Sequence, residues 1–123
     1  MSKADDLQNR AEAFADLSIK FVQGLPDQQI ARKMGGQYLD ASTSVAANYR
    51  SARRGKSYAD FTSKIGTVSE EADESVYWLK RFQNARITSR TVATKPLLQE
   101  AEELARIFGA SARTARRRRR RDK

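Results

Sequence analysis

The feature that most constrains this chain is a long apolar seam between residues 58 and 82. Apolar or small side chains recur there at alternating spacings of three and four residues, at Tyr58, Phe61, Ile65, Val68, Ala72, Ser75, Leu79 and Phe82. That spacing places all of them on one face of an α-helix and forms a heptad repeat. The pattern therefore predicts a long helix that packs against other helices along its whole length.

The boundaries of this third helix are also marked in the sequence. Ser57 with Asp60 resembles a capping box in which the shorter Asp stands in place of Glu. We expect the helix to end near Arg86, where the apolar seam has stopped.

Three other segments have the same helical period. Helix 1 is predicted from about Asp5 to Gln23, helix 2 from about Asp27 to Ala52, and helix 4 from near Thr94, with Gly109 as a position where it can break or fray. The prolines at 26 and 96 both stand where a helix is expected to begin. The predicted buried stripes are Leu7, Ala11, Phe14, Ser18 and Phe21; then Ala31, Met34, Tyr38, Ala41, Val45 and Asn48; then Leu97, Ala101, Leu104 and Phe108.

These segments predict an all-α fold, an antiparallel up-down four-helix bundle over residues 1–112. Residues 113–123 are expected to form a basic, disordered tail. No segment of useful length alternates apolar and polar residues as a strand would. In the up-down order the connection between helices 2 and 3 and the C-terminus lie at the same end of the bundle.

The chain of 123 residues has no Cys and no His, which excludes several classes of function. Disulfides, zinc fingers, haem–His sites and catalysis by Ser-His-Asp or Cys-His are all impossible without these residues. Acidic clusters at 70–74 and 100–103 resemble the facing carboxylates of di-iron bundles, but those sites also use an inward His. We therefore predict no enzyme, no catalytic residue, no metal and no cofactor; a carboxylate enzyme remains the distant alternative and would need a pocket with acids of raised pKa.

The net charge of +9 is concentrated at the C-terminus. Clustered arginines pair with phosphates and give a salt-dependent affinity for nucleic acid that is blind to sequence. The simpler interpretation is a disordered tail that aids solubility, or that binds an acidic partner or a membrane surface. The predicted nucleic-acid-binding residues of this tail are Arg113, Arg116, Arg117, Arg118, Arg119, Arg120 and Arg121.

A second group of basic residues lies at the end of helix 2 and in the following connection: Arg50, Arg53, Arg54 and Lys56. It is predicted to add its charge to that of the tail and to contact phosphates. Basic groups at a helix C-terminus also complement the helix dipole, and that explanation needs no ligand. No aromatic stacking platform is expected beside the arginines, so recognition of bases is not predicted.

Helix 3 carries more apolar surface than one seam can bury. Val76, Tyr77 and Trp78 flank Leu79, and such a surplus on a small bundle is typical of a subunit interface. The alternative is that Trp78 covers the core of the monomer.

Several motifs resemble a known family. They are the segment Ser44–Arg50, then Lys56, the pair Asp60-Phe61, the triplet Ser63-Lys64-Ile65, the segment Glu71–Leu79 with its Glu-Ala-x-Glu-x-x-Tyr-Trp-Leu pattern, and Ala-Glu-Glu-Leu at 101–104. With them, residues from about Phe14 to Ala112 resemble the bacterial four-helix-bundle proteins first noted in intervening sequences of 23S ribosomal RNA genes. The chain is also similar to the accessory proteins of diversity-generating retroelements.

This resemblance implies an up-down bundle, a ring-shaped homopentamer, no known enzymatic activity and, for the accessory proteins, binding of nucleic acid. Ser51 stands where the family usually has an acid, and the six-arginine run is unusual, so this end of the bundle is more basic than is typical. Together the motifs and charges predict a cytoplasmic homo-oligomer that binds nucleic acid, RNA rather than DNA, and does not enter a membrane. The alternative is a structural or scaffolding oligomer whose basic tail binds an acidic protein.

Overall fold

The computed structural model describes residues 1–121, and the described chain forms α-helices with no strand. The helices are α1 (Lys3–Gln23), α2 (Gln29–Arg53), α3 (Tyr58–Ala85) and α4 (Thr94–Arg121). The all-α prediction is confirmed, and each predicted helix is present. None of the helices in residues 1–121 is long and apolar enough to cross a membrane.

Local sequence explains where the helices begin and end. The Ser2 hydroxyl accepts from the Asp5 amide (3.0 Å) while the Asp5 carboxylate accepts from the Ser2 amide (3.2 Å), which completes a capping box at α1. At α3 only half of the predicted box forms: Ser57 accepts from the Asp60 amide (3.0 Å), but the Asp60 carboxylate accepts from the backbone amide of Lys56 (3.3 Å) instead. The α3 helix stops at Arg86, whose φ of 57° lies in the left-handed region.

Each helix packs against its neighbours in the chain, and α1 also packs against α4. The predicted seams supply the core, in which the rings of Phe21, Tyr38 and Phe82 meet edge to face with centroids 5.2–6.1 Å apart. The exceptions are Leu7, Met34, Asn48 and Phe61, which are only half-buried, and Tyr58, which is exposed. Tyr49 takes the buried place next to Asn48. The antiparallel four-helix bundle is thereby confirmed.

The described part of the predicted tail continues α4. The expectation that the tail is disordered is wrong for residues 113–121, because α4 passes through Gly109 without a break and ends at Arg121. Ala112 and Ala115, each 2% exposed, extend the buried stripe of Leu104 and Phe108, and Ala115 lies beyond the predicted end of the bundle. Asp122 and Lys123 lie outside the described residues.

Candidate nucleic-acid interface

The up-down order brings the chain's N-terminus, the α2–α3 connection and the end of α4 to one pole, which we call the basic pole. Arg53 at the end of α2 donates to the Asp5 carboxylate at the start of α1 (2.6 Å). Tyr58 and Phe61 at the start of α3 share a cleft with Ala115 and Arg118 near the end of α4. The predicted meeting of segment 50–56 with the C-terminal arginines at one pole is therefore confirmed.

The first part of the basic pole is a groove between α1 and α2. It has a volume of about 350 Å³ and is lined by Gln8, Glu12, Arg50, Arg53 and Arg54. Two carboxylates reduce its positive charge, Glu12 in its wall and Asp5 in the pair with Arg53. The hydrogen bond from Arg53 is the main cause that lowers the pKa of Asp5, so this pair stays ionised at neutral pH.

Each predicted residue of this first group has a different setting. Arg50 and Arg54 are exposed, whereas Arg53 is held by Asp5 and lies over the Tyr49 ring, 5.9 Å from its centroid. Lys56 is exposed in the connection to α3. Arg53 therefore has a structural role at the pole, and the other three side chains are available to a ligand.

The second part of the basic pole is the arginine-rich end of α4. Residues 116–121 are all exposed, and no carboxylate within residues 1–121 lies within 4.0 Å of their guanidinium nitrogens. Two cavities open between these side chains, of about 560 Å³ and about 190 Å³. The first is lined by Thr114, Arg117, Arg118, Arg120 and Arg121, and the second by Thr62, Arg116, Arg119 and Arg120.

A helical arginine run has a different electrostatic character from a disordered one. Like charges three and four residues apart repel by roughly 0.2–0.5 kcal/mol per pair, and the helix dipole offsets part of this because the run lies at a C-terminus. The buried side chain of Ala115 holds the last turns on the bundle. An anion that enters between the arginines relieves their repulsion, so the geometry favours phosphate binding.

The two parts of the basic pole face different sides of the bundle. The α2 and α4 helices are not neighbours, because each packs between α1 and α3. The groove of Arg50 and Arg54 opens beside α1, whereas the cavities of the α4 arginines open beside α3. Arg113 belongs to neither: it lines a groove of about 510 Å³ between α3 and α4, together with the carboxylates of Asp73 and Glu102.

An aromatic pair also lies at the basic pole. The rings of Tyr58 and Phe61 are stacked, with centroids 6.0 Å apart and planes inclined by 24°. The expectation that no aromatic platform accompanies the arginines is therefore wrong. The apolar period assigned both rings to the core seam, but Tyr58 is 40% exposed because it is the first residue of α3. The sequence feature that could have predicted this aromatic platform is the position of both rings at the start of α3, close to Lys56.

The three predicted interface residues lie on different parts of the α3 surface. Val76 is half-buried in the groove between α3 and α4, and Trp78 is half-buried against the core, as its alternative interpretation expected. Tyr77 is 52% exposed, and Arg81 lies over its ring, 5.2 Å from the centroid. Subunit contact through these residues stays a prediction.

The acidic clusters are used in the bundle or exposed at its surface. Arg10 of α1 donates two hydrogen bonds of 2.8 Å to Glu100 of α4 and contacts Glu103 at 2.7 Å, so these acids join α1 to α4. Partial burial, and then the charges of Glu74, Glu70 and Asp40, raise the pKa of Glu71. Within residues 1–121 no group of three or more acidic side chains is arranged to hold a metal ion.

Comparison with known proteins identifies a shared fold. No protein-family model matches the chain. No curated protein matches it significantly. The chain is similar to the crystal structure, at 1.70 Å resolution, of a protein of unknown function from the S23 ribosomal protein family of Bacteroides thetaiotaomicron. The two chains are 23% identical, with a TM-score of 0.78 over 91% of this chain and 99% of that chain, so they share the four-helix fold.

Proposed function

We propose that this chain is a non-enzymatic, homo-oligomeric protein that binds nucleic acid, RNA in preference to DNA, through its basic pole. The observation that carries the proposal is the exposed arginine run at the end of α4, which has no carboxylate partner within residues 1–121. Phosphates can supply the negatively charged partners that these guanidinium groups lack. Arg50, Arg54 and Lys56 add a second contact to the backbone of a longer nucleic acid that crosses the pole.

The similar S23-family fold supports the preference for RNA by analogy, since that family is named as ribosomal. The motifs shared with the proteins from 23S rRNA intervening sequences support a ring-shaped pentamer. A ring would present several arginine runs at once, and each additional contact within one ligand becomes intramolecular. Modest affinity per subunit would then suffice for tight binding.

The proposal includes no catalytic step and no cofactor. The chain lacks His and Cys. Within residues 1–121 the one carboxylate whose pKa is raised, Glu71, lies on the side of α3 near Asp40 and does not line the cavities of the basic pole. The proposed location is the cytoplasm, where nucleic acid is available to a protein of this charge.

The test compares two variants that each remove four positive charges. In the first, Arg117, Arg118, Arg120 and Arg121 are replaced by Gln, which leaves the buried Ala115 in place. In the control, Lys20, Lys33, Lys80 and Lys95 at the opposite pole, all exposed, are replaced by Gln. Mobility shifts are measured with RNA, single-stranded DNA, duplex DNA and polyglutamate over a range of salt.

We expect the wild-type and control proteins to bind RNA with similar affinity, and the arginine variant to bind RNA far more weakly. The slope of log K against log salt should also fall, by about 0.7 for each phosphate contact that is lost on a single strand. If the two variants bound RNA equally well, the basic pole would not be the surface that binds RNA. Binding of polyglutamate but of no nucleic acid would support the scaffolding alternative instead.

A further inference from the structure

We infer that the cleft beside Tyr58 and Phe61 stacks an unpaired nucleobase, so that the basic pole selects single-stranded nucleic acid. This inference rests on the proposed function, and it adds a recognition element that electrostatics alone cannot supply. Arginines attract any polyanion, whereas an aromatic face discriminates between an accessible base and a base inside a duplex.

The two rings form a surface that is anchored on one side and open on the other. Phe61 is half-buried and packs against the core, while Tyr58 is 40% exposed at the first position of α3. The rings are stacked with their centroids 6.0 Å apart, so the anchored ring of Phe61 restricts the orientation of the exposed ring of Tyr58. A base that stacks on Tyr58 would therefore meet a ring that is already positioned, so little side-chain entropy is lost on binding.

The opposite wall of the cleft belongs to α4 and is made of small side chains. The cleft has a volume of about 340 Å³, and beyond the two rings it is lined by Ala110, Ser111, Thr114, Ala115 and Arg118. The alanines leave a flat apolar wall, and the two hydroxyl groups can each donate to or accept from the edge of a base. The Arg118 guanidinium can stack on a base or pair with its phosphate.

The cleft is continuous with the arginine cavity at the end of α4. Thr114 and Arg118 line both, so the two spaces share a wall. A nucleotide whose base lies in the cleft has its phosphodiester directed to the cavity of Arg117, Arg120 and Arg121. This juxtaposition of an open aromatic face with a dense set of guanidinium groups is the arrangement that single-strand-binding proteins use.

Charge also decides between possible occupants of the cleft. A second copy of the chain that docked by the same face would bring two arginine runs together, and their repulsion would oppose the contact. An acidic peptide would pair with the arginines but would not need the flat faces of the rings. A nucleotide satisfies both features at once, because it joins a planar base to an anionic phosphate.

The experiment uses the full chain and two RNA probes of equal charge and length. One is oligouridylate of about 12 nucleotides, and the other is an abasic oligomer of the same length. The variants are Tyr58→Leu, which removes the aromatic face, and Tyr58→Phe, which keeps it. The matched control is Ile30→Ala, which removes exposed apolar surface at the opposite pole, since Ile30 is 64% exposed near the start of α2.

We expect the wild-type protein to bind oligouridylate about tenfold more tightly than the abasic oligomer, because the abasic oligomer cannot make the one stacking contact. Tyr58→Leu should abolish this difference without changing the affinity for the abasic oligomer. Tyr58→Phe and Ile30→Ala should keep it. Independently of any variant, oligouridylate but not the abasic oligomer should shift the NMR signals of the Tyr58 ring in the wild-type protein.

Two further outcomes separate this inference from the proposed function. If Tyr58→Leu retains the preference for oligouridylate, the cleft is not a base site, although the arginines can still bind phosphates. If the wild-type protein binds neither oligomer, the proposed function fails as well. A change in the sedimentation mass of the free Tyr58→Leu protein would instead identify the cleft as a subunit contact and overturn the inference.

Discussion

Gly24 and Thr91 lie so close together that no side chain larger than hydrogen fits at position 24. A Cβ atom built on Gly24 would lie 2.8 Å from the Thr91 backbone nitrogen and would clash with the hydroxyl oxygens of Thr91 and Ser89. The Gly24 carbonyl also accepts from the Arg90 amide (2.9 Å). This contact fastens the α3–α4 connection to the end of α1, at the end of the bundle opposite to the basic pole.

Replacement of Gly24 by Ala should therefore destabilise the bundle. Because the clash includes a backbone atom, the connection must move, and we expect a loss of about 1–3 kcal/mol in the free energy of unfolding. The matched control is Gly36→Ala, where a Cβ atom meets nothing within 4 Å. That change lies inside a helix and should stabilise by up to about 1 kcal/mol. Urea denaturation measures the free energy of unfolding of both variants. If Gly24→Ala left it unchanged, the α3–α4 connection would not pack against Gly24 in this way.

The buried Tyr38 should make the stability of the protein depend on alkaline pH. Its hydroxyl is 2.7 Å from that of Ser18, and burial raises the pKa of Tyr38 well above its ordinary value of 10.0. Burial also raises the pKa of Tyr49. Because the unfolded chain releases these protons first, the free energy of unfolding should be unaffected below pH 10 and should fall above it, by up to about 1.4 kcal/mol per pH unit for each tyrosine.

Tyr38→Phe should remove the part of that slope that Tyr38 causes. At neutral pH the loss of the buried hydrogen bond should cost Tyr38→Phe about 1 kcal/mol. Denaturant titrations at a series of pH values between neutrality and pH 11 measure both effects. Parallel slopes for the wild-type protein and Tyr38→Phe would mean that water reaches this hydroxyl in the folded state.

Arg10 should stabilise the junction of α1 with α4. Its guanidinium donates to both oxygens of Glu100 and also contacts Glu103, and all three side chains are only partly exposed. Bidentate geometry places this pair at the upper end of the range for surface ion pairs, so Arg10→Gln should cost about 1 kcal/mol. The loss should shrink in high salt. Arg32→Gln, which breaks an ion pair between more exposed side chains, is the control and should cost less. If Arg10→Gln and Arg32→Gln lowered the free energy of unfolding equally, the bidentate geometry would add no stability.

The sequence predicted the core well because its heptad period is strong. Ile65, Val68, Leu79 and Phe82 are buried as the seam of α3 requires. The assignment of Asn48 to the buried stripe of helix 2 was wrong, and Tyr49 is buried instead, because the period alone does not fix how far each helix rotates toward its partner. The aromatic platform was missed for a related reason: a residue at the first position of a helix can share the apolar stripe and still lack a neighbour that covers it.

The helical tail could not be predicted from apolar side chains, because only alanines continue the buried stripe there. Ala112 and Ala115 allow α4 to lie close to α3, and that closeness depends on the antiparallel register of the whole pair. Six consecutive arginines suggest a solvated coil when they are considered by themselves. The structure instead places them on a helix that two small buried residues secure.

The attachment of this helical end can be tested at Ala115. Ala115→Asp places a carboxylate at a position that is 2% exposed, where α4 packs beside Phe61, so the last turns should detach. Thr114→Asp is the matched control, because it adds the same charge at the neighbouring, exposed position. In Ala115→Asp the protection of the amides of residues 116–121 against hydrogen exchange should fall roughly tenfold or more, which corresponds to about 1.4 kcal/mol of local stability. In Thr114→Asp it should fall little. If the two variants exchange alike, the arginine helix stands free of the bundle, and the cleft between α4 and Tyr58 would lose its second wall.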